Sequence, residues 1–286
     1  MYKELVFDKK KGEIINKNNK LILKHNQPCS GFFSSCTILL RLIIQFFNTQ
    51  KCLPDEINCT NSFKWYTYNT SIDDLYKVLF NINIDVNIEY KKPITISSQL
   101  VEDQFSNYNL LNYSEISLFI DKYFMPSKMI KDIIDKLEKK YNINYNNLCV
   151  LFYRGNDKCK EIDVGNYDFY DKEIQEIKNN NKEQLDFLIQ SDETEFLNKF
   201  SNDLVNSYIF WDEIRHINSQ LSTVDKIKYE NDNFYYISYF LAITIIMSKA
   251  KYIICNTGNC SLWILLFRKN SNGLQQYIPK NNKYTL

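Results

Sequence analysis

The sequence predicts an α/β fold whose second half is a parallel sheet with helices on both faces. Three observations predict it. Short apolar runs alternate with helical patterns from residue 148 to residue 278. The connections between them are short, which favours parallel strands with helical crossovers. The 286-residue chain is 44% hydrophobic, enough to fill a core of that size and to exclude a disordered or fibrous chain.

Element by element, the first half reads as helix-rich and irregular. Ser34–Phe47 is apolar nearly all round, the pattern of a buried helix. Ile72–Phe80 reads as a short amphipathic helix, with Asp73 and Asp74 on its solvated side. Ile82–Tyr90 alternates apolar and polar residues, the period of a half-buried strand. Helices are expected over Ser114–Phe124 and, after the Pro126-Ser127 start signal, through Tyr141. The second half then gives strands at Leu148–Tyr153, Leu185–Gln190, Ser207–Trp211, Tyr252–Cys255 and Leu274–Ile278. Helices at Asp171–Asn179, Glu193–Phe200, Phe234–Ala250 and Asn259–Arg268 separate them. The polar stretch 142–147 divides the chain into residues 1–145 and 146–286.

Charge and cysteine content narrow the function. A net charge of +1 argues against a nucleic-acid partner, which requires a basic surplus. No signal peptide is visible, and no apolar run reaches the ~20 residues of a transmembrane span. A cytoplasmic setting is expected, with the eight cysteines as free thiols and no zinc site, because no CxxC and no histidine lies at ligand spacing. The P-loop motif GxxxxGK[ST], the dinucleotide-binding GxGxxG and the GxSxG elbow are all absent. No Asp-x-Asp follows an apolar strand, so no metal clamp is expected.

What chemistry remains lies at the carboxyl ends of the predicted strands, where parallel sheets bind ligands. After the first of these strands come Arg154, Gly155, Asp157, Lys158 and Glu161. A guanidinium there suits a diphosphate, and Glu161 suits proton abstraction; periodicity alone favours an ordinary polar strand-to-helix loop with a surface salt bridge. Asp192 and Glu193 open the next helix, as caps or as carboxylates that read a guanine edge. Asn256, Thr257, Gly258, Asn259, Cys260 and Ser261 carry a buried strand into a helix, which is the shape of a phosphate cradle.

In order along the chain, GFFS at 31–34, YRGNDKCKE at 153–161, IQSDE at 189–193 and ICNTGNCSLW at 254–263 resemble the fucosyltransferase superfamily of α1,6-fucosyltransferases and protein O-fucosyltransferases. The resemblance covers most of the second half and one motif of the first. It implies a GT-B-like architecture of two lobes, an acceptor-side lobe over 1–145 and a Rossmann-like donor lobe over 146–286. It implies a metal-independent, inverting glycosyltransferase without a cofactor, using a GDP-sugar donor such as GDP-fucose and a glycan or protein acceptor. Carried over, the family's essential Arg is Arg154, with Lys158 beside it and Glu161 as base. Asp192 or Glu193 would read guanine, residues 256–261 would bind the pyrophosphate, and Gly31, Phe32 and Phe33 would face the donor. Phe152 stands where the family usually has His, Gly155 replaces its second Arg, and Thr257-Gly258-Asn259 replaces a Ser-Ser turn. A different nucleotide-sugar donor, or an inactive glycan- or protein-binding module, therefore remains open.

Overall fold

The structure, a computed structural model, describes residues 7–68, 70–94, 104–218 and 233–279. Its centre is a five-stranded, all-parallel sheet made of β6 (Leu148–Tyr153), β7 (Asp186–Ser191), β8 (Ser207–Tyr208), β9 (Tyr252–Asn256) and β10 (Leu274–Tyr277), in the order β10-β9-β6-β7-β8. The pleat sends alternate side chains of β6 into two cores. Leu148, Val150 and Phe152 join the larger core, which also holds most of the first half of the chain. Cys149, Leu151 and Tyr153 join a second core on the opposite face. That second core is built by α6 (Tyr167–Asn180) and α7 (Thr194–Asp203), while α8 (Asn233–Ser248) and α9 (Asn259–Arg268) belong to the first. The sheet is thus covered on both faces, as the alternation of strands and helices predicts.

The first half is organised around α1 (Phe32–Gln50), which buries twelve side chains including Phe32, Phe33, Phe46 and Phe47. By length and composition α1 could cross a membrane, but most of its surface is buried inside this fold. After it come α2 (Lys64–Thr67), α3 (Leu75–Leu79), α4 (Tyr113–Tyr123) and α5 (Lys128–Tyr141). The helix α5 lies against α8, and α4 against α9, so both halves share the larger core.

Three expected elements differ here, and one sheet was not expected. Beside α1 lies a three-stranded sheet that the periodicity did not reveal: β1 (Gly12–Lys17), β2 (Lys20–His25) and β3 (Glu56–Asn58), in the order β1-β2-β3. The β1–β2 hairpin turns at Asn18 and Asn19, both with positive φ (52° and 61°), the mirror-image turn in which Asn substitutes for Gly. Ile82–Tyr90 is not a strand; only β4 (Phe80–Asn81) pairs, with β5 (Met125–Pro126). Ile82 and Ile84 are exposed, while Val86, Ile88 and Tyr90 pack against the larger core as irregular chain with no strand beside them. The expected helix at Ile72–Phe80 shrinks to α3, because Asp74 caps its start: the Asp74 carboxylate accepts from Lys77 N (3.4 Å) and from Cys59 N (2.9 Å). Asp74 is thus a structural cap and not a solvated surface charge. Finally, the strand expected at Ser207–Trp211 ends at Tyr208.

Candidate active site

The carboxyl ends of the three adjacent strands β6, β7 and β9 present Arg154, Asp192 and the turn Asn256–Gly258 side by side. Asn256 closes β9 and is fully buried. Its side-chain amide accepts from Arg154 N (3.1 Å) and donates to Arg154 O (2.9 Å). The β6–β9 ladder ends at Phe152 and Cys255, and this side chain carries the pairing further. Asn256 therefore fixes the backbone of Arg154 without reaching the surface.

From that anchor the Arg154 guanidinium meets two carboxylates, Asp157 at 2.7 Å and Asp192 in closer contact. Asp192 also accepts from Gly155 N at 2.9 Å, while its backbone carbonyl takes the Asn156 amide. Gly155 is needed where it stands: a Cβ would lie 2.7 Å from the Tyr153 ring and collide with the Glu193 carboxylate. Asn156 then takes a left-handed φ of 41° and starts a 3₁₀ turn, Asn156–Lys160. The turn aims Lys158, which is buried, at Glu161 (Nζ–Oε2, 2.5 Å) and at Gln104 Oε1 (3.0 Å).

The turn after β9 is held from the first half of the chain. The Tyr108 hydroxyl lies 2.9 Å from both Gly258 N and Gly258 O. Gly258 has φ 155°, a backbone that side-chain-bearing residues avoid. Asn259 N points at Gln104 Oε1 (3.3 Å), and its side-chain amide donates to the same oxygen (3.0 Å). Ser261 is fully buried, and its hydroxyl, beside the Cys255 thiol, has no well-formed hydrogen bond among the described residues. The Cys260 thiol is pushed up by burial, against the pull of Arg154 and Lys158, so it stays protonated.

These groups surround a cavity of about 380 Å³. Arg154, Asp157, Lys158, Glu161 and Asp192 line one side of it, with Gly258, Asn259, Cys260 and Ser261 at the start of α9. Gly31, Phe32 and Phe33 at the start of α1 line it as well. A Cβ on Gly31 would meet nothing within 4 Å, so its small size leaves open space there. Four residues singled out from the sequence do not line the cavity. Gly155 and Asn256 shape the Arg154 backbone from behind, and Thr257 is buried. Glu193 turns away to bond Tyr167, and burial raises its carboxyl above the usual range. Of the two candidate carboxylates after β7, Asp192 is the one at the cavity.

Sequence reasoning missed Gln104, Tyr108, Trp65, Tyr66, Gln190, Arg215, Tyr236 and Phe240 as parts of this site. The aromatic members form one surface: Tyr236 stacks on Phe240 (5.7 Å), Phe240 meets Phe33 (5.4 Å), and the Arg215 guanidinium sits 5.1 Å over Tyr236. Arg215 had a signal, as one of only four arginines. The charged side chains lining the cavity balance, Arg154, Lys158 and Arg215 against Asp157, Glu161 and Asp192. Among the described residues no three His, Cys, Asp or Glu side chains are grouped to hold a metal ion.

No protein-family model matches the sequence, and no curated protein does. Solved structures match the fold. The α1,6-fucosyltransferase NodZ soaked with GDP-fucose aligns with a TM-score of 0.52 at 10% identity, covering 86% of this chain and 91% of that one. The fucosyltransferase NodZ from Bradyrhizobium aligns with a TM-score of 0.51 at 10% identity, over 85% and 90%. The chain has the fucosyltransferase fold. An alignment with NodZ co-crystallised with GDP is partial, with a TM-score of 0.36 at 10% identity, spanning 53% of this chain and 45% of that chain. The fold is the GT-B-like one that the motifs imply, with the parallel sheet as its Rossmann-like part.

Proposed function

We propose that this chain is a glycosyltransferase that binds a GDP-sugar at the cavity and passes the sugar to an acceptor hydroxyl with inversion. One observation carries the reading: Arg154, Lys158 and the N-terminus of α9 converge on a single cavity at the carboxyl ends of adjacent parallel strands. The α1,6-fucosyltransferase NodZ, which has this fold, has been soaked with GDP-fucose, which favours the same donor class here. We place the donor lobe at residues 146–286 and the acceptor lobe at 1–145. We place the protein in the cytoplasm, where its eight cysteines would stay as the free thiols they are.

In this reading the acceptor oxygen attacks the anomeric carbon as the bond to the diphosphate oxygen breaks. Negative charge grows on the departing GDP. The Arg154 fork, Lys158 and the free N–H groups at the start of α9 stabilise that charge, the work a divalent cation does elsewhere. Glu161 takes the acceptor proton. Asp192, which lines the cavity, would accept from the guanine edge once the diphosphate draws Arg154 away from it. The aromatic wall of Phe33, Tyr236 and Phe240 suits the face of a sugar ring.

The test is turnover of GDP-fucose, GDP-mannose and UDP-glucose, in EDTA and then in Mg²⁺, followed by release of the nucleoside diphosphate. Metal-independent release of GDP supports the reading. Release of UDP alone keeps the reaction class and changes the donor. The second reading, a glycan- or protein-binding module, is favoured by the ion pairs that already satisfy Arg154 and Lys158. Glycan binding without turnover of any donor would select it.

A further inference from the structure

One oxygen in the cavity is surrounded in an unusual way. Gln104 Oε1 receives three donors: Lys158 Nζ at 3.0 Å, Asn259 Nδ2 at 3.0 Å and the backbone N–H of Asn259 at 3.3 Å. An amide oxygen offers two lone pairs, so the trio oversubscribes it. One donor is a buried ammonium and another belongs to the first turn of a helix, and both favour an anion over a neutral carbonyl. The orientation is fixed, because turning the amide over would set its NH₂ against three donors. Asn259 is oriented as well: its Oδ1 lies 2.9 Å from the Thr37 hydroxyl, which shares its proton between that oxygen and Phe33 O (2.8 Å) and accepts from Trp263 Nε1 (2.9 Å). Ser261, two residues on, brings a buried hydroxyl with no well-formed hydrogen bond among the described residues to the lining of the same cavity.

The backbone that carries Gln104 is anchored independently. Gln104 O accepts from the Tyr108 hydroxyl (2.6 Å), and Gln276 bonds both Tyr108 N (2.9 Å) and Ser106 O (2.7 Å). The Gln104 side chain can therefore rotate out of the cluster while its main chain stays in place.

We propose that the Gln104 carboxamide is a built-in surrogate for a phosphate oxygen, which a diphosphate must displace and against which it is selected. This rests on the diphosphate site of the proposed function and adds a residue that sets its affinity. Lys158 Nζ, Asn259 N and Asn259 Nδ2 form the anion subsite. Gln104 satisfies them with a neutral oxygen, so a charged oxygen replaces it readily and a neutral ligand does not. Removing the competitor should strengthen anion binding. Replacing it with a carboxylate should close the subsite, because a second anion beside Glu161 would then hold Lys158 together with both Asn259 donors.

The experiment is calorimetric titration of inorganic pyrophosphate and of GDP into the wild-type protein, Gln104→Ala and Gln104→Glu. Gln104→Ala should bind both ligands roughly tenfold tighter, the equivalent of one modest hydrogen bond at about 1.4 kcal/mol. Gln104→Glu should bind both at least roughly tenfold more weakly. If the wild-type protein binds GDP and Gln104→Ala binds it equally or less tightly, Gln104 is a structural cap and the inference fails while the proposed function stands. If none of the three proteins binds GDP or pyrophosphate, both fail. Should Gln104→Ala not fold, the isosteric Gln104→Glu decides alone, and unchanged or tighter binding overturns the inference.

Discussion

His25 at the end of β2 makes a sharp prediction about stability and pH. The ring is fully buried beside Phe63 (centroids 6.0 Å apart), and neither nitrogen has a hydrogen-bond partner among the described residues. Burial, reinforced by the nearby Lys11 charge, pushes its pKa down from 6.5 to about 4. The unfolded chain therefore takes up a proton as pH falls below 6.5, while the folded protein resists until about 4. Protons favour the unfolded state in that window, so stability is full above pH 6.5 and declines towards pH 4. The gap between 6.5 and about 4, at 1.36 kcal/mol per pH unit, amounts to about 3 kcal/mol. The perturbation is His25→Leu, of similar volume and without a titrating group. The assay is urea unfolding of both proteins at half-unit steps from pH 7.5 to pH 4.5. The wild-type protein should lose about 2–3 kcal/mol more than the variant across the window. His216, whose pKa burial also lowers, is common to both and cancels. Parallel curves for the two proteins would refute the reasoning.

Further outcomes follow from the site. Asn256→Ala should cost about 2–4 kcal/mol, because two bonds to the Arg154 backbone are lost and a buried N–H and carbonyl are stranded; denaturant unfolding reads this, and GDP affinity should fall with it. Gly155→Ala should destabilise by about 1–3 kcal/mol, since its methyl group meets the Tyr153 ring and the Glu193 carboxylate; a melting temperature within 1 °C of wild type, about the resolution of the scan, would contradict this. Arg154→Lys keeps a cation beside Asp192 but loses the fork, so it should fold normally and bind GDP at least about tenfold more weakly. Glu161→Gln should reduce turnover about 100-fold or more with donor affinity nearly unchanged, as measured by steady-state kinetics beside calorimetry.

Much of the parallel sheet and of the loops at its carboxyl ends was legible in the sequence. Leu148–Tyr153 and Asn259–Arg268 stand where the pattern puts them, because a strand buried on both faces and a helix with a glycine before it leave strong local signals. The Arg154 loop and the turn after β9 were legible for the same reason: each follows a strand whose end is marked by the switch from apolar to polar residues. The β1–β2 hairpin was not recognised, although Asn18-Asn19 is its turn signal, because neither strand is apolar enough to stand out. Ile82–Tyr90 misled in the opposite sense, since alternation without a partner sheet makes no strand. Gln104 lies 54 residues from Lys158 and 155 from Asn259 in sequence, and Tyr108 lies 150 from Gly258, and such contacts carry no period at all. Roles also shifted: Asn256, expected among the phosphate ligands, is buried behind Arg154 as its support.

The central claim is that the cavity between Arg154, Lys158 and the start of α9 takes a nucleoside diphosphate. Calorimetric titration of GDP, UDP, ADP and CDP into the wild-type protein in EDTA tests it most directly. The account predicts saturable binding with GDP the tightest, and about 2.7 kcal/mol of added stability at 100 times the dissociation constant. Heat traces indistinguishable from buffer for all four nucleotides, with the protein folded throughout, would contradict it.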